Sequence, residues 1–161
     1  MAQTIPVLAL LAALGSGLLG GFFFAFSNVV MPALRRVSPP AGIAAMQAVN
    51  VVVLNPVFFL AFFGTPVVGL GLGLYGLFNP GQGGSILLLL AGLLVVAGMF
   101  GVTVAFNVPM NGTLAPMDPS APASAAYWRH YLARWTMWNH VRTVACVVAC
   151  ILYLLAFRAL P

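Results

Sequence analysis

Apolar residues run almost unbroken over residues 5–31, 50–77, 86–106 and 138–158, with short clusters of Pro, Gly, Asn and Arg between them. About 20 helical residues cross roughly 30 Å of hydrocarbon, so each run is long enough for one membrane span. Pro32 and Arg35-Arg36 close the first run, and Ser38-Pro39-Pro40 opens the next helix, with serine as a cap and proline in the first turn. That helix is expected over residues 41–75, too long for one straight span. Its first part, 41–50, is therefore expected to lie at the interface or project beyond it, with kinks at Pro56 and Pro66. Residues 79–85 form an uncharged turn-rich loop, Pro109 ends the third run, and 112–122 is a loop of proline and small residues. The last helix is expected over 124–157, opening with an aromatic and basic interfacial stretch at 127–135. No Lys or Arg precedes the first run, which exceeds the length of a signal core, so it is expected to be the first span rather than a cleaved leader. The pattern predicts an all-α membrane protein: one domain over residues 1–161, a four-transmembrane-helix bundle with an interfacial extension at the start of helices two and four.

Composition agrees and narrows the chemistry. Apolar residues make up 63% of the chain and charged residues 4%, against about 25% charged in ordinary globular proteins. The one acidic residue is Asp118. Paired-carboxylate catalysis, a carboxylate-rich cation site and a proton relay of buried acids are thereby excluded. All basic residues are arginine: Arg35, Arg36, Arg129, Arg134, Arg142 and Arg158. They sit beside spans and form no run, which points to membrane lipids rather than nucleic acid as partners. Four spans place Arg35, Arg36, Arg129 and Arg134 on one side and Arg158 with the amino terminus on the other. The positive-inside rule then sets both termini outside the cytoplasm of a multi-pass protein, expected in a bacterial cell membrane.

The polar residues are unevenly spread. Asn28, Arg35 and Arg36 fall near the end of the first span, Asn50 and Asn55 early in the second helix, and Asn107 and Asn111 at the end of the third. Trp135, Trp138, Asn139, His140 and Arg142 open the fourth. All four helices thus deliver polar side chains to one leaflet, while the opposite one is nearly bare. Anchoring alone would dress both ends, so a polar-lined pocket opening at one face is expected. Trp128, Tyr131, Trp135, Trp138 or Asn139, and Arg142 recur every three or four residues and share a stripe, as do Asn107 and Asn111. For Trp128 an interfacial belt or helix-packing role is the expectation. Arginine at a span mouth can snorkel to phosphates, but that leaves Asn139 and His140 beside it unexplained.

His140 is the side chain near a span able to exchange a proton near neutral pH, and it serves equally as a packed interior residue or as a base. No metal is expected: His130 and His140 lie roughly 280° apart around one helix. Gly71-Leu72-Gly73-Leu74-Tyr75-Gly76 spells a dinucleotide-binding fingerprint, yet it follows no strand and no acidic residue lies downstream of it in the right place. Gly17 and Gly21, like Gly69 and Gly73, have the spacing that lets membrane helices approach closely. Cys146 and Cys150 share a helix face and are expected to pack as small apolar residues.

In chain order, residues 20–28 leading to Met31-Pro32-Ala33-Leu34, then Met46-Gln47-x-x-Asn50, Asn55-Pro56, Asn107-Val108-Pro109-Met110-Asn111 and Trp135-x-x-Trp138-Asn139-His140-x-Arg142-Thr143 resemble the anthrone oxygenase-like family of small four-helix membrane proteins. The resemblance implies the four-helix fold and, from its fungal members, oxidation of anthrones to anthraquinones with no cofactor. An enzyme of that kind needs an apolar aromatic pocket, a base and donors for an oxyanion. His140 and Arg142 are then the catalytic candidates, with Asn50, Asn55, Asn107, Asn111, Trp135, Trp138 and Asn139 binding a lipophilic aromatic ketone or phenol. The alternative is a non-enzymatic membrane protein that binds a lipid, quinone or small partner in the same pocket. A transporter is less favoured, since buried acids and an internal repeat are lacking, although a homo-oligomer could supply symmetry.

Overall fold

The computed structural model describes residues 3–160. Four helices are long and apolar enough to cross a membrane: α1 (Thr4–Leu34), α3 (Pro56–Phe78), α4 (Ser85–Leu114) and α5 (Pro122–Ala159). A shorter helix, α2 (Pro39–Val52), precedes α3. The spans close a ring in which α1 touches α3 and α5, and α4 touches α3 and α5. Each span therefore packs beside its neighbours in sequence, the up-and-down arrangement that short loops favour. Only 33–39% of an apolar 18-residue stretch of each span is buried, and Leu18, Val57, Leu60, Val67 and Val144 stand outward among many other exposed apolar residues. A soluble protein does not carry so continuous an apolar surface, and a lipid-facing one must. This is an integral membrane protein.

The expected long second helix is two helices. The residue before a proline is pushed away from helical backbone angles, and Asn55 adopts φ −125° and ψ 159° ahead of Pro56. Its side chain repairs the break by accepting from the Phe58 amide and donating to the Val52 carbonyl, each at 3.0 Å. The first half, α2, is thus a separate element rather than an overhang of one kinked rod. Pro66, by contrast, sits buried inside α3 without ending it.

Two cores hold the molecule together. The larger lies between the spans, where Ala9, Ala12, Ala13, Leu72, Leu88, Ala91 and Ala149 are fully covered. Glycine makes this closeness possible at Gly92, where a Cβ would stand against the Gly69 carbonyl and the Gly73 backbone. Gly84 opens α4 at φ 80°, a left-handed angle at which other residues are strained. Of the expected small-residue pairs, Gly17, Gly69 and Gly73 face neighbouring helices, whereas Gly21 faces open space. Cys146 is buried in this core, and both thiols are free. The smaller core caps one end, where Met31, Ile43, Met46, Leu114, Trp128, Tyr131 and Trp135 join α1, α2, α4 and the first half of α5.

Candidate functional site

The first half of α5 supplies the centre of the polar region. Its residues at three- and four-residue spacing point inward: Trp128, Tyr131, Trp135, Asn139 and Arg142 are all buried. Trp128, Tyr131 and Trp135 stack in series, with ring centroids 5.4 and 6.0 Å apart and nearly parallel planes. Trp128 fills the space above Gly42 and is a packing residue, not part of a lipid-facing belt.

Below that stack lies a chain of hydrogen bonds between helices. Asn139 Nδ2 donates to the Phe23 carbonyl and to Ser27 Oγ, both at 2.6 Å. Its Oδ1 accepts from Arg142 Nη2 at 2.6 Å, and Arg142 Nη1 donates to Thr103 Oγ1 at 3.3 Å. Higher up, Asn111 Oδ1 accepts from the Tyr131 hydroxyl at 2.7 Å and from Trp135 Nε1 at 2.9 Å. Asn107 Nδ2 donates to the Trp135 carbonyl at 3.2 Å. The Asn50 amide approaches the Tyr131 hydroxyl, but its Nδ2 completes no hydrogen bond.

Arg142 is the unusual member. It is 5% exposed, and its guanidinium carbon sits 4.3 Å from the centre of the Phe23 ring and 5.1 Å from that of Trp135. Aromatic faces stabilise a cation by about 0.5–2 kcal/mol but do not neutralise it. Among the described residues no carboxylate is at hand, because Asp118 is exposed in the α4–α5 loop and accepts from the Ser120 amide. Arg142 Nε has no partner among the described residues, and neither does Asn107 Oδ1. A buried guanidinium with its charge uncompensated and a free donor on it makes an arrangement suited to an anionic group. Among the described residues no three His, Cys or acidic side chains come together, so the donors on offer are guanidinium, amide, indole and hydroxyl.

The backbone is adapted around the same place. Phe26–Val30 in α1 and Leu94–Gly101 and Thr103–Asn107 in α4 are wound as π-helix. Such segments are rare and are frequent at functional sites, since the wider turn leaves carbonyls free to accept other donors. Phe23, whose carbonyl takes the Asn139 amide, lies just before the first of them.

Not every candidate residue joins the cluster. Asn107, Asn111, Trp135, Asn139 and Arg142 are brought together, with Asn50 at the edge. Asn55 is spent on the helix break, and exposed Asn28 bonds back to the Phe24 carbonyl of its own helix. Trp138 turns outward and stacks on Phe106 at 3.6 Å. His140 is exposed in a shallow, apolar depression beside Leu94, Gly98, Val141 and Val144. One residue is about 100° of helix, so neighbours of an inward Asn139 face elsewhere. Residues that sequence reasoning passed over complete the cluster: Phe23, Ser27 and Thr103. Thr103 was findable, for it continues the four-residue spacing of Asn107 and Asn111. Gln47, named in a motif but given no role there, donates through Nε2 to the Leu114 and Met117 carbonyls at 3.0 and 2.8 Å, tying α2 to the end of α4.

Fold and site together define a polytopic membrane protein with a buried guanidinium–amide centre near one end of its bundle. The chain belongs to the anthrone oxygenase family, whose sequence profile, described as "Anthrone oxygenase", matches residues 58–152. The match runs from α3 through most of α5 and so includes Thr103, Asn107, Asn111, Trp135, Asn139 and Arg142; the first two helices fall outside it. No curated protein and no solved structure matches the chain.

Proposed function

We propose that this protein oxidises a lipophilic aromatic ketone or phenol with molecular oxygen, holding the substrate's oxyanion against Arg142. The observation that carries this reading is the buried guanidinium with no acid to balance it. Loss of a proton from a methylene activated by an aryl ketone puts negative charge on the ketone oxygen. A fixed cation in a low-dielectric site favours that charged form, and preorganised donors of this kind are among the largest contributors to catalysis. The electron-rich enolate can then surrender electrons to oxygen. The methylene carbon becomes a carbonyl, one oxygen atom of O2 enters it, and the other leaves as water with the two hydrogens removed. Asn107, Asn111 and the Trp135 indole shape the site around the oxyanion, while Asn139 and Thr103 orient the guanidinium. Because His140 faces outward, a proton lost on binding passes to water at the membrane face.

The test is oxygen uptake by protein reconstituted in lipid and supplied with an anthrone, against protein-free vesicles. Arg142→Gln is expected to slow uptake by about 10²–10³, the usual loss for a removed oxyanion donor. Uptake unchanged by that substitution would overturn the assignment. Saturable binding without any uptake would instead favour a non-enzymatic protein that holds a lipid or quinone in the same place. For orientation, exposed Arg35, Arg36, Arg129 and Arg134 at the polar end argue for that end facing the cytoplasm of a bacterial cell membrane, with both termini outside. A topology reporter fused to either terminus and active only in the cytoplasm should stay silent.

A further inference from the structure

We propose that the notch between α1 and the α2–α3 break is the bilayer-side binding site for a planar, lipophilic aromatic ligand, and that the Phe26–Trp135 contact is the partition between that site and Arg142. The proposal rests on the function proposed above and adds where its substrate is collected. The notch encloses about 540 Å³, within the roughly 300–1,000 Å³ of small-molecule sites. It is built rather than accidental. Asn55-Pro56 forces the chain out of helix, and the Asn55 side chain satisfies the backbone on both sides of the break. Irregular backbone at membrane depth persists where it is so satisfied or lines a cavity.

Its walls suit a flat ring system. Phe22 sits 4.8 Å from Phe26 and 5.4 Å from Phe58, centroid to centroid, and Val49 and Val53 close the side. Aromatic faces and edges of this kind favour an aromatic occupant over a flexible chain. The mouth opens sideways to lipid between Leu18, Val52 and Val57, which are 64–80% exposed. At the back, the Phe26 ring is 5.9 Å from that of Trp135, which in turn lies 5.1 Å from the Arg142 guanidinium carbon. Two rings in series, Phe26 and then Trp135, therefore separate an apolar, lipid-open cavity from a buried cation with a free N–H among the described residues. Phe26 also opens the π-helical stretch of α1. An acyl chain would have no use for that cation. An aromatic enol or phenol would use both compartments, with its rings in the notch and its oxygen toward Arg142 once the Phe26–Trp135 contact opens.

Anthraquinone is a suitable probe, titrated into nanodisc-held protein and followed by quenching of tryptophan emission. Wild type is expected to quench saturably. Ala48→Phe and, independently, Val52→Phe fill the notch from exposed positions and are expected to weaken binding at least about tenfold. Val67→Phe, exposed on α3 away from the notch, is expected to leave binding unchanged. Absence of saturable quenching in wild type, or equal binding in both filled variants, would overturn the proposal. So would quenching by a phospholipid brominated on its acyl chain that anthraquinone does not relieve, since an acyl chain then occupies the notch. The two readings fail separately. Filled variants that still bind anthraquinone, beside an Arg142→Gln that loses oxidation, remove the notch alone; the converse removes the reaction and leaves the notch.

Discussion

The end of the bundle that holds the α3–α4 loop and the end that holds Arg142 are assembled on different terms. At the first, backbone meets backbone. Gly92 lies on Gly69 and Gly73, Gly76 lies under the Ser85 carbonyl, and Gly83 lies against that of Ala159. At the second, side chains reach across: Asn139 to α1, Asn111 and Asn107 between α4 and α5, and Gln47 from α2 to the end of α4. Lipid tails are as apolar as leucine, so close contact of small residues is enough to hold membrane helices together. The first end shows that this chain can do so with glycine and alanine. The polar end is then more than a fold requires, and its buried cation works against folding.

Arg142 offers the sharpest way to break that contrast. Its removal should cost the most activity, about 10²–10³ in oxygen uptake, while barely moving thermal stability. Burying an arginine at membrane depth costs about 2.5–3.5 kcal/mol on insertion scales, and Arg142→Gln relieves this while losing the contacts to Asn139 and Thr103. If the variant unfolds instead, the guanidinium is a structural post and the contrast is wrong. Gly92→Val is the opposite experiment. The new side chain would meet carbonyl and backbone atoms that cannot rotate away, costing about 1–3 kcal/mol or more in unfolding measured in detergent. Any loss of uptake should then track the loss of folded protein.

Asn111 tests the polar end itself. One oxygen serves both the Tyr131 hydroxyl and the Trp135 indole, so Asn111→Leu strands two donors. Each buried, unsatisfied donor costs about 1–3 kcal/mol, and the Trp135 ring that covers Arg142 loses its anchor. Both stability and uptake should fall, read by thermal midpoint and oxygen electrode on the same preparation. A drop in stability with uptake per folded molecule unchanged would mean that Trp135 need not be held in place.

The four spans, the loops and the one-sided polarity were legible in the sequence, because apolar run length and Pro or Gly punctuation are local signals. The α2–α3 break was half legible. Asn55-Pro56 marked a disturbance, but whether a proline kinks or ends a helix depends on what else satisfies the backbone, as Pro66 shows by staying inside α3. The site was legible only as far as helix periodicity reaches. Spacing found Asn107, Asn111, Trp135, Asn139 and Arg142. It could not find Ser27, because the π-helical turn that holds it changes the local register, nor the Phe23 carbonyl, because a backbone acceptor leaves no mark in side-chain spacing.

His140 is where that limit shows most, and where the smallest effect is expected. Its imidazole is the group a sequence reader assigns to proton transfer, yet it stands one residue past Asn139 and so about 100° around the helix, on the lipid-facing side. It lies against apolar neighbours and forms none of the side-chain hydrogen bonds of the network. His140→Leu should therefore change unfolding by no more than about 0.5 kcal/mol and leave oxygen uptake near the wild-type rate. The measurement is the rate of oxygen uptake by the two proteins side by side. Equal rates would mean that the charge of Arg142 stabilises the enolate and that water, not His140, takes the proton. A loss of the roughly 10²–10⁴-fold that a general base supplies would bring His140 back as the base, acting from the lipid-facing side, and would make the wall between α4 and α5 the part of the molecule that must move.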